Sequence, residues 1–136
     1  MTEPVMIKTI YLQAPPEKVW RHLTNKELLA RWFHETDRDL KDKVSFQYFS
    51  FHYDKDDRKL MWGDVIEFNP PHKLVHTFTH EWLKGVITTV TWELTEVDGG
   101  TQLQMKHEGI DTFAELTGHD KGWDEHFLRL RMMLSY

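Results

Sequence analysis

The chain has 136 residues and no cysteine, which excludes disulfides, thiolate metal sites, iron–sulfur clusters and cysteine nucleophiles together. Seventeen basic against twenty-two acidic side chains leave a formal charge of −5, a poor basis for gripping phosphate backbones, so nucleic acid is excluded as a partner. Mean hydropathy is −0.60, no apolar run nears the roughly 18 residues of a membrane span, and Met1–Val5 has no leader character; the expectation is a cytoplasmic protein, a single domain over 1–136.

Residues 5–13 (VMIKTIYLQ) are rich in β-branched and aromatic side chains and predict a strand. Ala14-Pro15-Pro16 ends it, and proline suits a first helical turn because its missing N–H would be unbonded there anyway. Val19, Trp20 and Leu23 form the apolar stripe of a short helix. Thr24 and Glu27 have the T-x-x-E form of a capping box. They predict the start of a second helix, with Leu28, Leu29, Trp32 and Phe33 on its buried face.

Glu35 to Lys43 is a polar connection. Val44–Tyr53 predicts a strand that turns through Asp54–Asp57 into Lys59–Phe68, broken by Asn69-Pro70-Pro71. Strands over Lys73–His80 and Gly85–Val97 follow, the latter alternating Val86, Thr88, Val90, Trp92 and Leu94 with more polar positions. Asp98-Gly99-Gly100 predicts a tight hairpin, since glycine tolerates the positive φ such turns demand. Its partner strand, Thr101–His107, places Leu103, Met105 and His107 on one face.

From about Asp120 to the terminus, Trp123, Phe127, Leu130 and Leu134 recur at i, i+4, i+7 and i+11, the stripe of a long helix. Acidic residues near its start and Arg129 and Arg131 near its end complement the helix dipole. One strand, two short helices, a run of strands and a long helix make an α+β pattern. An antiparallel sheet is covered by the final helix on the face bearing Val90, Trp92, Leu94, Leu103 and Met105.

Several segments resemble one family: Ile10–Trp20, Leu28-Leu29-Ala30-Arg31-Trp32-Phe33, Gly63–Pro71 before Leu74-Val75, Val90–Leu94, Gly99–Leu103, His107-Glu108-Gly109 and Gly122-Trp123. In order and spacing they are similar to bacterial proteins like the C-terminal domain of the activator of heat-shock protein 90 ATPase. That family sits in the SRPBCC, or START-like, superfamily. The resemblance implies a helix-grip fold, a curved antiparallel sheet gripping the last helix, with a ligand cavity between them in many relatives. Relatives usually carry glycines entering the second strand, where this chain has Asp39-Leu40-Lys41-Asp42-Lys43-Val44. The eukaryotic activators add a separate N-terminal domain that helps engage the chaperone, and no room for it is expected here.

The aromatic load, six Trp and eight Phe, recurs on every element that should face the grip. Trp20 is assigned to the core. A wedge between sheet and helix is commonly lined by large flat side chains, and Trp32, Trp92, Met105, His107, Trp123, Phe127 and Leu130 are the expected ligand-pocket residues. His107 ends an inner-face strand position, where it would orient a ligand's polar head or close the core by hydrogen bonding. The leading expectation is non-enzymatic binding of a small hydrophobic or amphipathic molecule. The alternatives are a co-chaperone-like module contacting a heat-shock protein 90 homologue and a pocket enzyme of cyclase or hydratase type using Glu67, His107 or Glu108.

No catalytic residue, metal ligand or cofactor is assigned. Ser45, Ser50 and Ser135 lie in no nucleophile-elbow sequence, and Gly99-Gly100 sits in a strand-to-strand turn rather than a phosphate loop. His72, His76 and His80 are four apart, but on a strand that spacing separates neighbours by roughly 13 Å, too far to share a zinc ion.

Overall fold

The alternating apolar positions of the strands fall on one face of a single sheet. A computed structural model describes residues 4–49 and 59–134. In chain order it contains β1 (Val5–Leu12), α1 (Pro16–Thr24), α2 (Lys26–Trp32), β2 (Glu35–Thr36), β3 (Ser45–Phe49), β4 (Lys59–Asn69), β5 (Lys73–Phe78), β6 (Thr88–Val97), β7 (Gly100–Glu108) and α3 (Phe113–Met133). The strands pair antiparallel in the order β1-β7-β6-β5-β4-β3-β2. The expected turn at Asp54–Asp57, Ser50 and Ser135 lie outside the described residues.

The long helix lies where the two periodicities require. Trp123, Phe127, Leu130 and Leu134 are buried with Val90, Trp92, Leu94, Leu103 and Met105 in one core. Trp92 meets Trp123 and Phe127 edge-on, at ring-centroid distances of 5.5 and 6.0 Å. At the far edge of the sheet, the Lys8 ammonium of β1 reaches Asp120 and Asp124 of α3 and ties the helix to the strand beneath it.

Curvature has local causes. A Cβ on Gly63 would lie 2.0 Å from the Thr77 carbonyl oxygen, so only glycine lets β4 come this close to β5. The ladder also slips register between Val65 and Glu67 and between Tyr48 and Phe49, and such bulges bend a strand. The Asp98-Gly99 turn forms as expected, both residues at positive φ (50° and 82°), with Val97 paired to Gly100. In the Asp39–Val44 segment it is Lys43 that takes the left-handed backbone, at φ 60°.

Several boundaries differ from expectation. The capping box at Thr24 and Glu27 does not form; Asn25 is the N-cap of α2, its side chain accepting from the Glu27 and Leu28 N–H groups at 3.0 and 3.1 Å. Thr24 closes α1 instead and donates its hydroxyl to the Trp20 carbonyl, as mid-helix threonines do. Inside the polar Glu35–Lys43 connection, Glu35 and Thr36 pair with Phe49 and Tyr48 of β3; backbone pairing needs no apolar signal. β6 begins at Thr88 rather than Gly85, because Glu81–Leu83 forms a single 3-10 turn and Lys84 and Gly85 take positive φ. Finally, α3 begins seven residues before Asp120. Thr112 caps it, accepting from the Glu115 N–H at 3.2 Å.

Candidate functional site

The N-terminal half of α3 borders a cavity. The stripe found farther along gives way there to Gly118 and Gly122, whose missing side chains face open space. The cavity measures about 240 Å³ and lies between α3 and the ends of β4 and β5. Phe33, Met61, Phe78, Trp82 and Trp123 wall it, and His80, Glu115, His119 and His126 supply its polar groups. Two glycines inside a helix cost roughly 1 kcal/mol each relative to alanine, a local conflict of the kind that collects at functional sites.

Behind the cavity runs a chain of buried hydrogen bonds. The Trp123 indole N–H donates to Nδ1 of His107 at 3.0 Å. The His107 proton therefore sits on Nε2 and is donated to the Thr88 hydroxyl at 2.7 Å. Thr88 in turn donates to the Phe78 carbonyl at 2.6 Å. Trp92 makes the same kind of contact with Nε2 of His76 at 3.0 Å, which puts the His76 proton on Nδ1, facing the Thr77 carbonyl at 2.9 Å. Burial, aided by the neighbouring His119, His76 and His80, pushes His107 down to about 3. Burial likewise pushes His76 down to about 4, against the raising effect of its Thr77 contact. Both rings are neutral at neutral pH.

At the rim, His80 and His119 bring their Nε2 atoms to 2.9 Å with nearly parallel ring planes. His119 donates Nδ1–H to the Glu115 carbonyl at 2.6 Å, so its Nε2 carries a lone pair. One ligand atom from each of His80, Glu115 and His119 lies within 4.8 Å of the others. His126 is pushed down to about 4 by burial and by the adjacent Arg129. The Arg129 guanidinium also donates to the Trp32 carbonyl at 3.1 Å, where α2 ends.

Of the seven expected pocket residues, Trp123 lines this cavity. His107 sits directly behind it, its ring 5.6 Å from His119, and its partners are side chains rather than backbone. Trp32, Trp92, Met105, Phe127 and Leu130 are packed in the core. Phe127 lies against both Trp32 and Trp123 in stacked geometry, at 6.3 and 5.5 Å. Over the middle of the sheet these rings occupy the wedge, and the cavity lies beside the two helix glycines. Glu67 is exposed and paired with Lys73 at 3.6 Å, and Glu108 ends β7 opposite Val5 and Thr89; neither borders the cavity. His76 is held in the core by Trp92, and His80 stands at the cavity rim beside His119. The sequence reading missed Glu115, Gly118, His119 and Gly122, whose signal was an E-x-x-x-H overlapping a G-x-x-x-G on one helix.

Among the described residues no helix is long and apolar enough to cross a membrane. No curated protein matches the chain in sequence. Among solved structures it is similar to CalU16 from Micromonospora echinospora, with 25% identity, TM-score 0.80, and 96% of this chain and 76% of that one covered. A protein of Mesorhizobium loti matches with 24% identity and TM-score 0.84, over 96% of both chains. An HSP90 activator from Plasmodium falciparum matches with 23% identity and TM-score 0.80, over 96% and 95%. These likenesses agree with the helix-grip architecture of the sheet and α3. Residues 13–135 match the family described as activator of Hsp90 ATPase homolog 1-like protein, and with nearly its whole length inside that match the chain belongs to this family.

Proposed function

We propose that the protein, acting as one domain in the cytoplasm, binds a small amphipathic molecule in the cavity beneath the N-terminal half of α3 without transforming it. The observation that carries this reading is the combination of aromatic walls with a confined polar rim of His80, Glu115, His119 and His126. Such pockets orient a ligand by a few polar groups and hold it by apolar contact. The volume, about 240 Å³, exceeds the ~150 Å³ that accommodates a benzene ring, so the ligand is of one- or two-ring size. Trp123 touches it, and His107 holds the Trp123 ring in place from behind. The other expected pocket residues support that wall from the core. Native mass spectrometry of the protein purified from its own cells tests the reading. A retained ligand appears as added mass, and Gly118→Leu, which fills the cavity from an open helix position, removes it. Wild type and variant both carrying the same added mass would place the ligand elsewhere.

A second reading, contact with a heat-shock protein 90 homologue, is favoured by the family itself and by the fold shared with the Plasmodium activator. Partners are not carried by fold alone, and the cavity supports the first reading more directly.

A further inference from the structure

The rim of the cavity holds an arrangement that apolar ligand binding does not need. His80 arrives from the segment after β5, while Glu115 and His119 stand one turn apart on α3. Two residues at i and i+4 share a helix face, and here that face meets His80 across the cavity mouth. The three offer ligand atoms within 4.8 Å of one another. We propose that His80, Glu115 and His119 bind a divalent transition-metal ion, zinc or a neighbouring first-row cation.

The donor set fits. Two imidazole nitrogens and one carboxylate oxygen suit zinc, and the same imidazoles suit cobalt and nickel. Nitrogens at about 2.0–2.1 Å from a tetrahedral ion stand roughly 3.3 Å apart. The two Nε2 atoms lie at 2.9 Å, so the rings part by only a few tenths of an ångström to admit it. Glu115 has the reach to close its own side. Its N–H is used by the Thr112 cap, whereas its carboxylate stands 3.7 Å from Nδ1 of His119, beyond hydrogen-bond distance.

Both imidazoles can present lone pairs. The Nδ1–H of His119 is held by the Glu115 carbonyl, the outer contact that fixes a metal-binding imidazole in its tautomer. Nδ1 of His80 is buried and has no hydrogen-bond partner among the described residues. With the His119 Nε2 lone pair as its acceptor, the His80 proton sits on Nε2. As the ion enters, that proton moves from Nε2 to Nδ1, and the ion takes its place between the two rings. Because all three donors line the cavity, the remaining coordination positions face into it.

The site is tested on the intact chain after treatment with a chelator. Cobalt(II) chloride is titrated while its visible d–d absorption is followed, and zinc chloride is titrated by calorimetry. The expected result is one equivalent of either ion, with the absorption intensity of low-coordinate cobalt. Glu115→Gln, at a half-buried position that leaves the fold intact, weakens binding roughly tenfold or more. His119→Ala abolishes the cobalt bands. Gly122→Ala adds a methyl to the cavity wall without touching the three donors and keeps full metal binding, so failure of the ligand reading and failure of the metal site are separable. Wild type taking up no equivalent of either ion overturns the proposal and leaves a hydrogen-bonded histidine pair. Glu115→Gln and His119→Ala both binding as wild type also overturn it, because the ion then sits on other histidines.

Discussion

The indole of Trp123 on α3 and the imidazole of His107 on β7 meet at 3.0 Å, N–H to Nδ1, a buried polar tie between helix and sheet. Trp123→Phe keeps an aromatic ring but leaves the buried Nδ1 without its donor, which costs about 1–3 kcal/mol. In a double-mutant cycle with His107→Leu, followed by urea denaturation, the two changes are expected to be non-additive by about 1 kcal/mol or more. Additivity within ~0.3–0.5 kcal/mol would mean that the bond contributes nothing of its own.

Stability should fall in mild acid. His76 and His107 have folded pKa values of about 4 and about 3, below the unfolded value of about 6.5. Below pH 6.5 the unfolded chain takes up protons that the folded protein refuses. The stabilisation is thus complete above 6.5 and is lost as pH falls toward the folded values. Each histidine costs about 1.4 kcal/mol per pH unit in that window, so the two together remove roughly 4 kcal/mol between pH 6.5 and 5. Urea midpoints measured at pH 7, 6 and 5 check this, and equal stability at all three would mean that neither ring is held neutral.

Gly118 and Gly122 present their missing side chains to open space. Alanine at either position meets no obstacle and gains helix propensity, so each variant should be more stable by about 0.5–1 kcal/mol. Ligand capture should weaken in the same variants, because the new methyl stands in the cavity. Calorimetric melting and native mass spectrometry separate the two effects. A destabilised Gly118→Ala would show that this side of the helix is packed.

Phe127 is the ring on which Trp32, Trp92 and Trp123 all converge. Phe127→Ala should cost on the order of 3–5 kcal/mol in denaturant unfolding. A loss below about 1 kcal/mol would place the helix elsewhere.

Stimulation of a chaperone offers a contrary test. The likeness to the Plasmodium activator, at 23% identity, is one of fold. The expected result is no rise in the ATPase rate of the cognate heat-shock protein 90 homologue when this protein is added at micromolar concentration. A clear dose-dependent rise would put the chaperone reading first.

The sheet and the final helix were legible because their burial is periodic. Leu103, Met105 and His107 alternate strictly, and Trp123, Phe127, Leu130 and Leu134 keep one helical face. The first two turns of α3 were hidden because they bury so little. Phe113 is 78% exposed, and the glycines that weaken the helical signal are the same residues that line the cavity. Spacing along the sequence groups His80 with His72 and His76, whereas its partner His119 lies 39 residues away on another element. Periodicity reports which face a residue is on. It carries no information on which two faces leave a gap, and Trp92 and Met105, inner-face residues by alternation, are buried in the core.

Each of the two indole–imidazole contacts also makes an optical reporter. The nitrogen that accepts the Trp123 or Trp92 N–H is the one that a proton would occupy, and an imidazolium has no lone pair left to offer. Protonation of His107 or His76 must therefore break its contact and turn the indole toward a different environment. Tryptophan emission should then register the titration of these two rings directly, without an added dye. The contacts at 3.0 Å couple the protein's fluorescence to its proton uptake.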